Sequence, residues 1–457
     1  MQKQEEIEQS LFKAFHALMV YWLGEEVWAK RREAYLEKIR AHEASIDWSK
    51  PIEPQLFEPK ENDIDWYILA SELAWDYPHS DANYSTRRLY PYIMAIGRYA
   101  EQLRAAPNVQ GVASKMLANK SSPENQLFEL LTAAFYLKNG FEVQFIPENS
   151  IAWPDGSKKS PDLLVKKQFE MFVECKRAAK QTQYSQSEES AWRKIWQRLS
   201  THMLTTTPWR VANITFHSEL ETVEADEVIQ AYDSAVRNNQ RVDLQALSIS
   251  VRTMDSQSIH RHYDDYSVRP NCPQQELLVF GDVDYNEKRS IATVARRAIK
   301  PGEEDDVLNF FIDRIACCVA AQWRCGHTNS MEKRSRHFKG LVNDAMSQIP
   351  PIKPGVIHIW YETREGIDVE FLRREKHLEN LSGFDASRTT VLGVFIHGVN
   401  YYPTETDYQW AETVQDFARV PDLDKMFRSK LMLSAEDTPS ANGTTHWAQD
   451  LASKQQK

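Results

Sequence analysis

The segment SPDLLVKKQFEMFVECKRA, residues 160–178, constrains this chain more than any other stretch. It reads as two short apolar strands, SPDLLV and FEMFVECK, joined by a turn around Lys167-Gln168. Side chains alternate along a strand, so Glu174 and Lys176 project from one face while Val173 and Cys175 point the other way. Asp162 heads the preceding strand, with eleven residues between it and Glu174, and can join the first pair. Two carboxylates and an ammonium are costly to bury on a sheet face that binds nothing. The set suits a divalent metal and a phosphate.

The residues just upstream supply more of the same unit. SSPENQLFELLTAAFYLKNG predicts a helix, with Ser122 as a cap, Pro123 at the first position and Gly140 as the stop. Leu127, Leu130, Leu131, Ala134 and Phe135 follow helical spacing, and FEVQFI then alternates as a strand does. Glu129 sits on this helix beside Gln126, Thr132 and Ala133. Periodicity leaves two readings of it open: a solvated carboxylate on the polar face, or a carboxylate turned toward Asp162 and Glu174.

A helix bearing a glutamate, then three strands carrying Pro161-Asp162 and Glu174-x-Lys176, resembles the PD-(D/E)XK nuclease superfamily. That superfamily includes many restriction endonucleases, archaeal Holliday-junction resolvases and phage exonucleases. The resemblance runs from about Ser122 to Lys180, with parts of the chain up to about Tyr402 as further core. The bare letters are a weak pattern, and their order among the elements adds the weight. The resemblance implies an α/β fold, a restriction-endonuclease-like mixed sheet flanked by helices. It implies a Mg²⁺ site, open to Mn²⁺, held by Asp162, Glu174 and the backbone carbonyl of Cys175. Glu129 would hold a second metal or an outer water, and Glu148 is a lesser candidate. Lys176 would orient or deprotonate the attacking water, or stabilise the developing charge. The implied activity is a metal-dependent endonuclease hydrolysing phosphodiester bonds, with DNA as the expected nucleic acid and restriction or anti-phage defence as the role. The alternatives are a nuclease-fold module that binds nucleic acid or a partner without cleaving, and an RNA endonuclease. A plain ion pair of Lys176 with Asp162 or Glu174 is the structural alternative for the trio.

Composition frames these expectations. A chain of 457 residues is too long for one ordinary core, and 42% hydrophobic residues can fill several. We expect a helical N-terminal domain at 1–110, a nuclease core at 111–433 with an α/β insertion at 181–330, and a flexible tail at 434–457. Two sets of elements could complete the core after Glu174-x-Lys176. One is the Trp192 helix with VANITF; the other, which we favour, is the Phe338 helix with GVIHIWYE, whose strand is apolar on both faces. The net charge of −10 argues against a nonspecific nucleic-acid coat. Residues 157–200 nevertheless carry ten Lys/Arg against five Asp/Glu, so Lys158, Lys159, Lys166, Lys167, Arg177 and Lys180 could hold phosphates. Five cysteines do not form a disulfide framework in so long a chain. The charged start and the short apolar runs suggest a cytoplasmic protein with no membrane span. A homo-oligomer or a partner protein fits the extra domains. Cys317, Cys318, Cys325 and His327 lack zinc-ligand spacing, and IACCVAAQW reads as a buried helix. His260 and His262 read as surface histidines.

Overall fold

The computed structural model describes residues 2–59, 63–76, 88–118, 120, 122–153, 156, 158–179, 181–266, 268–284, 286–298, 311–382, 389–403, 408–421, 423–435 and 443–456. Among the described residues seven α-helices come first: α1 Gln2–Leu23, α2 Glu25–Ala44, α3 Ile64–Asp76, α4 Tyr90–Gly97, α5 Ala100–Ala105, α6 Val109–Leu117 and α7 Glu124–Lys138. Then come β1 Glu142–Phe145, β2 Leu163–Lys166 and β3 Glu170–Arg177. A central block follows, with α8 Gln183–Thr206, β4 Arg210–Phe216, α9 Ala225–Asn238, β5 Val242–Asp243, β6 Leu247–Thr253, α10 Ser256–Asp265, α11 Pro273–Phe280, β7 Lys288–Ala298, β8 Phe311–Cys325 and α12 Thr328–Arg334. The chain closes with α13 Lys339–Met346, β9 Gly355–Glu362, α14 Ile367–Leu381, β10 Val391–Pro403, β11 Tyr408–Ala418 and α15 His446–Gln456.

The strands form two mixed sheets, so the protein is mixed α/β with helices against both. The first sheet has the order β1-β2-β3-β9-β10-β11. Its first three strands run antiparallel, β9 joins β3 in parallel, and β10 joins β9 in parallel. β9 is buried along its whole length, which is why GVIHIWYE carries no polar alternation. One face of this sheet (Val173, Val356, Trp360 and Phe395) packs with the N-terminal helices and α7 in a single apolar cluster. The other face (Phe172, Ile357, Ile359 and Val394) packs beneath Phe338, Val342 and Ala345 of the α13 segment.

The second sheet has the order β5-β6-β4-β8-β7. VANITF, as β4, therefore belongs there, and GVIHIWYE is the strand beside β3. Trp192, Ile195 and Leu199 of α8 and Val228 and Tyr232 of α9 cover one face of this sheet. Ile259 and Tyr263 of α10 cover part of the other, together with Ile46 and Ile52 from the segment after α2. Glu53 adds a polar tie, because the Thr293 N–H donates to its Oε2 at 2.7 Å.

Two expectations need correction. IACCVAAQW is strand, as part of β8, and not helix. An apolar run of that length reads alike in a buried helix or strand. Pairing decided it, since β7 takes one edge of β8 and β4 the other. The segment 434–457 is not loose throughout either: α15 buries Trp447, and both ring nitrogens of His446 contact threonine hydroxyls, Thr363 and Thr413, at 2.8 Å. Its small polar composition hid one anchoring aromatic. Among the described residues, no helix is long and apolar enough to cross a membrane.

Candidate functional site

The hairpin β2–β3 sets the geometry. Leu163 is paired with Val173, and one step beyond this last rung Asp162 stands opposite Glu174. Leu164 and Phe172 face the α13 side of the sheet, so Asp162, Glu174 and Lys176 fall on that face by alternation. Asp162 is held at the strand mouth by its own backbone and side chain. Its N–H donates to the Val173 carbonyl at 3.1 Å, and its Oδ2 accepts from the Cys175 N–H at 2.7 Å. A residue's N–H and C=O leave a strand on the same edge, so the Cys175 carbonyl is turned toward the Asp162 side. The Cys175 thiol points to the opposite face, where burial pushes its pKa well up.

Glu174 is the most enclosed of the set, with a side chain 1% exposed, while Lys176 keeps 19%. Lys176 Nζ reaches Glu174 Oε1 at 2.7 Å. Among the described residues, Glu174 Oε2 has no hydrogen-bond partner. Such a buried, unanswered oxygen is rare in proteins and calls for an explanation.

The electrostatics agree with the geometry. Burial and then the negative charge of Asp162 push the Glu174 carboxyl up to about 8, although Lys176 pulls the other way. Burial raises Asp162 to about 6 against the Cys175 N–H and the Lys176 charge. Glu129 is half-buried on α7, and burial followed by the Asp162 charge lifts its carboxyl well above the usual range. Glu129 is thus neither fully solvated nor fully enclosed. Burial works against the Lys176 ammonium, yet Glu174 more than compensates and raises its pKa. Three carboxyl groups that each resist ionisation, with the Asp162 charge acting on the other two, form an environment that a cation would relieve.

Among the described residues, no three His, Cys, Asp or Glu side chains are grouped closely enough to hold a metal ion. Mg²⁺ does not need three, since it is usually bound through one or two carboxylates and keeps several waters. Asp162 and Glu174 stand opposite each other on one side of the sheet and Glu174 carries a buried oxygen without a partner, so they fit that demand. Glu129 lies near enough for the Asp162 charge to act on its carboxyl.

The remaining sequence candidates divide. Glu148 pairs with Lys115 at 2.6 Å, and that pair is close enough to bear on Glu129 and Asp162. Lys158 and Lys159 are exposed just ahead of Asp162, and Lys159 Nζ donates to the Ser347 carbonyl at 3.3 Å. Lys166 and Lys167 lie at the far end of the hairpin, where Lys167 donates to the Asn139 carbonyl at 3.0 Å. Arg177 turns inward. It pairs with Glu124, which also accepts from Arg88 at 2.7 Å and from the Tyr67 hydroxyl. Lys180 lies outside the described residues. His260 is exposed, with Nε2 at 3.0 Å from the Ile315 carbonyl. Cys318 and Cys325 are buried strand residues.

Sequence reasoning missed two contributors. Lys115, on α6, had no motif to announce it. Gln348 follows α13 and reaches across to β3. With its amide turned to suit its neighbours, its oxygen accepts from Lys176 Nζ at 2.7 Å and its nitrogen donates to Glu174 Oε1 at 3.0 Å. Only the fold brings residue 348 beside residues 174 and 176. No family model, no curated protein and no solved structure matches this chain.

Proposed function

We propose that this chain is a metal-dependent nuclease of the PD-(D/E)XK kind, built on a restriction-endonuclease-like core, with DNA as its substrate. The observation that carries the reading is Glu174: buried, opposite Asp162 on one sheet face, with one oxygen unanswered and a reachable lysine on the other. The order of elements supports it as well, since a helix bearing Glu129 precedes three antiparallel strands and a parallel fourth, β9, beside the Glu174 strand. Residues 181–330 then stand as an insertion that builds its own sheet.

Asp162, Glu174 and the Cys175 carbonyl would hold Mg²⁺ or Mn²⁺. The bound ion would neutralise the phosphate and make its water a better nucleophile. The chain's own groups do the rest. Asp162 is locked in place by the Cys175 N–H, so its free oxygen is aimed without a search. Lys176 stands beside Glu174 with partial access to solvent, where its ammonium can bind a phosphate oxygen as negative charge grows there. Hydrolysis joins the water oxygen to phosphorus, breaks one P–O ester bond and delivers a proton to the leaving oxygen. Lys158 and Lys159, exposed ahead of Asp162, are placed to meet the phosphate backbone.

The test is a substrate panel: single- and double-stranded DNA, branched DNA and RNA, each incubated with Mg²⁺, Mn²⁺ or Ca²⁺. Cleavage of DNA with Mg²⁺ or Mn²⁺, and binding without turnover in Ca²⁺, is the expected result. Cleavage confined to RNA would move the assignment to an RNA endonuclease. Binding of nucleic acid with no cleavage under any metal would favour a nuclease-fold binding module.

A further inference from the structure

We propose that Gln348 is a positioning residue of this same centre, assigning the two oxygens of Glu174 to different tasks; the inference rests on the nuclease reading. The backbone around Gln348 is fixed. Its N–H donates to the Ala345 carbonyl at 3.0 Å, and the next residue, Ile349, donates to Met346 at 3.3 Å. Ile349 is itself wedged over β9, its Cγ2 at 2.7 Å from where a Cβ on Gly355 would sit. The side chain of Gln348 thus springs from an anchored turn and closes a triangle with Glu174 and Lys176.

Amide oxygen and nitrogen are assigned from their surroundings, and here the surroundings are decisive. An ammonium can only donate, so it requires the amide oxygen, and this leaves the amide nitrogen to donate to the Glu174 oxygen. In that orientation the distances are 2.7 Å to Lys176 Nζ and 3.0 Å to Glu174 Oε1. Glu174 Oε1 then receives two donors, the amide of Gln348 and the ammonium of Lys176 at 2.7 Å. Oε2 receives none. The triangle leaves Oε2 as the oxygen available to a cation and prevents the carboxylate from exchanging its ends. The terminal torsion of a glutamate is otherwise broad and two-fold.

Lys176 is aimed by the same contacts. An ammonium has three protons, and the triangle engages it through Glu174 and Gln348, leaving a third for a water or a phosphate oxygen. Gln348 touches neither substrate nor metal. It acts through the two groups that do.

Two variants test this. Gln348→Met keeps the length of the side chain and removes both hydrogen bonds. The single-turnover cleavage rate should fall about 10- to 100-fold, the scale on which small misplacements act. The KM for nucleic acid should stay at the wild-type value, and Mn²⁺ affinity by calorimetry on the intact protein should drop several-fold. Gln348→Glu keeps an acceptor for Lys176 and replaces the donor to Glu174 with a further carboxylate. It should bind Mn²⁺ at least as tightly as wild type yet still cleave at least about 10-fold more slowly. A merely structural amide would lower the melting temperature and leave Mn²⁺ affinity and rate per folded molecule alone. If wild type binds Mn²⁺ and cuts while Gln348→Met matches it in both, the role of Gln348 is refuted and the nuclease reading stands. A wild type that neither binds Mn²⁺ nor cuts refutes both.

Discussion

Replacing Glu174 by Gln should stabilise the metal-free protein at neutral pH while abolishing cleavage. The wild-type carboxyl is shifted up from 4.5 to about 8, so the folded state favours its neutral form. The sign follows from linkage: a carboxyl raised on folding costs nothing below pH 4.5, and the penalty grows as pH rises toward 8. At pH 7 the chain is roughly 2.5 units above the unfolded value, which at ~1.4 kcal/mol per unit comes to about 3 kcal/mol. An amide carries no such penalty and still offers an oxygen to Lys176. With an unfolding entropy of about 2 cal/mol/K per residue over 457 residues, the melting temperature should rise by about 3 °C. The assay is thermal unfolding in EDTA at pH 5 and pH 7, with Mg²⁺ added in a second series. The variant should gain less than about 1 kcal/mol at pH 5 and about 3 kcal/mol at pH 7. Mg²⁺ should raise the melting temperature of wild type and leave the variant unchanged, because ligand binding stabilises only the state that binds. A variant less stable than wild type by the same amount at both pH values would mean that Glu174 is there for its ion pair with Lys176, and the metal reasoning would fail.

Lys176→Ala should lower the single-turnover rate far more than nucleic-acid affinity, and Lys176→Arg should not restore it, because a guanidinium is planar and reaches differently; weakened binding with an unchanged rate would reduce the lysine to a phosphate clamp. Glu124→Ala should cost about 3–5 kcal/mol in urea unfolding, since it leaves the buried guanidiniums of Arg88 and Arg177 to share Glu362 alone; near-normal stability would mean that Glu362 by itself balances both. Burial lowers His446 to about 3, so wild-type stability from this group is complete above about pH 6.5 and is lost as pH falls. His446→Gln should therefore gain on wild type by ~1.4 kcal/mol per pH unit below that point, and parallel pH profiles in chemical unfolding would contradict the docking of α15.

The parts of the site that one hairpin supplies were legible from the residues alone. Alternation along β3 and the position of Asp162 one step past the Leu163–Val173 rung place both carboxylates and Lys176 on one face. The helix ahead was legible because its apolar spacing is long and ends in Gly140, whose φ is +78°. What depended on distant chain was not. Gln348 lies in a turn whose sequence, SQIPP, says nothing of β3, and Lys115 is an ordinary helix lysine. How far Glu129 is solvated could not be read from periodicity, because burial by the packed fold, and then the charge of Asp162 on another element, set its environment. β8 reads as helix in the sequence because its stretch Cys318–Ala321 is buried on both faces and loses the alternation that would reveal a strand. Arg177 looked like part of a basic rim, yet two glutamates far apart in sequence, Glu124 and Glu362, draw it inward.

The central claim is that Asp162 and Glu174 bind a cation that cuts nucleic acid. Cleavage of end-labelled DNA by purified wild type, Asp162→Ala and Glu174→Ala, each with Mg²⁺ and with EDTA, tests it in one gel. Product should form only for wild type with Mg²⁺, with all three proteins equally folded by circular dichroism. Product that persists in EDTA, or that either variant makes at the wild-type rate, would contradict it.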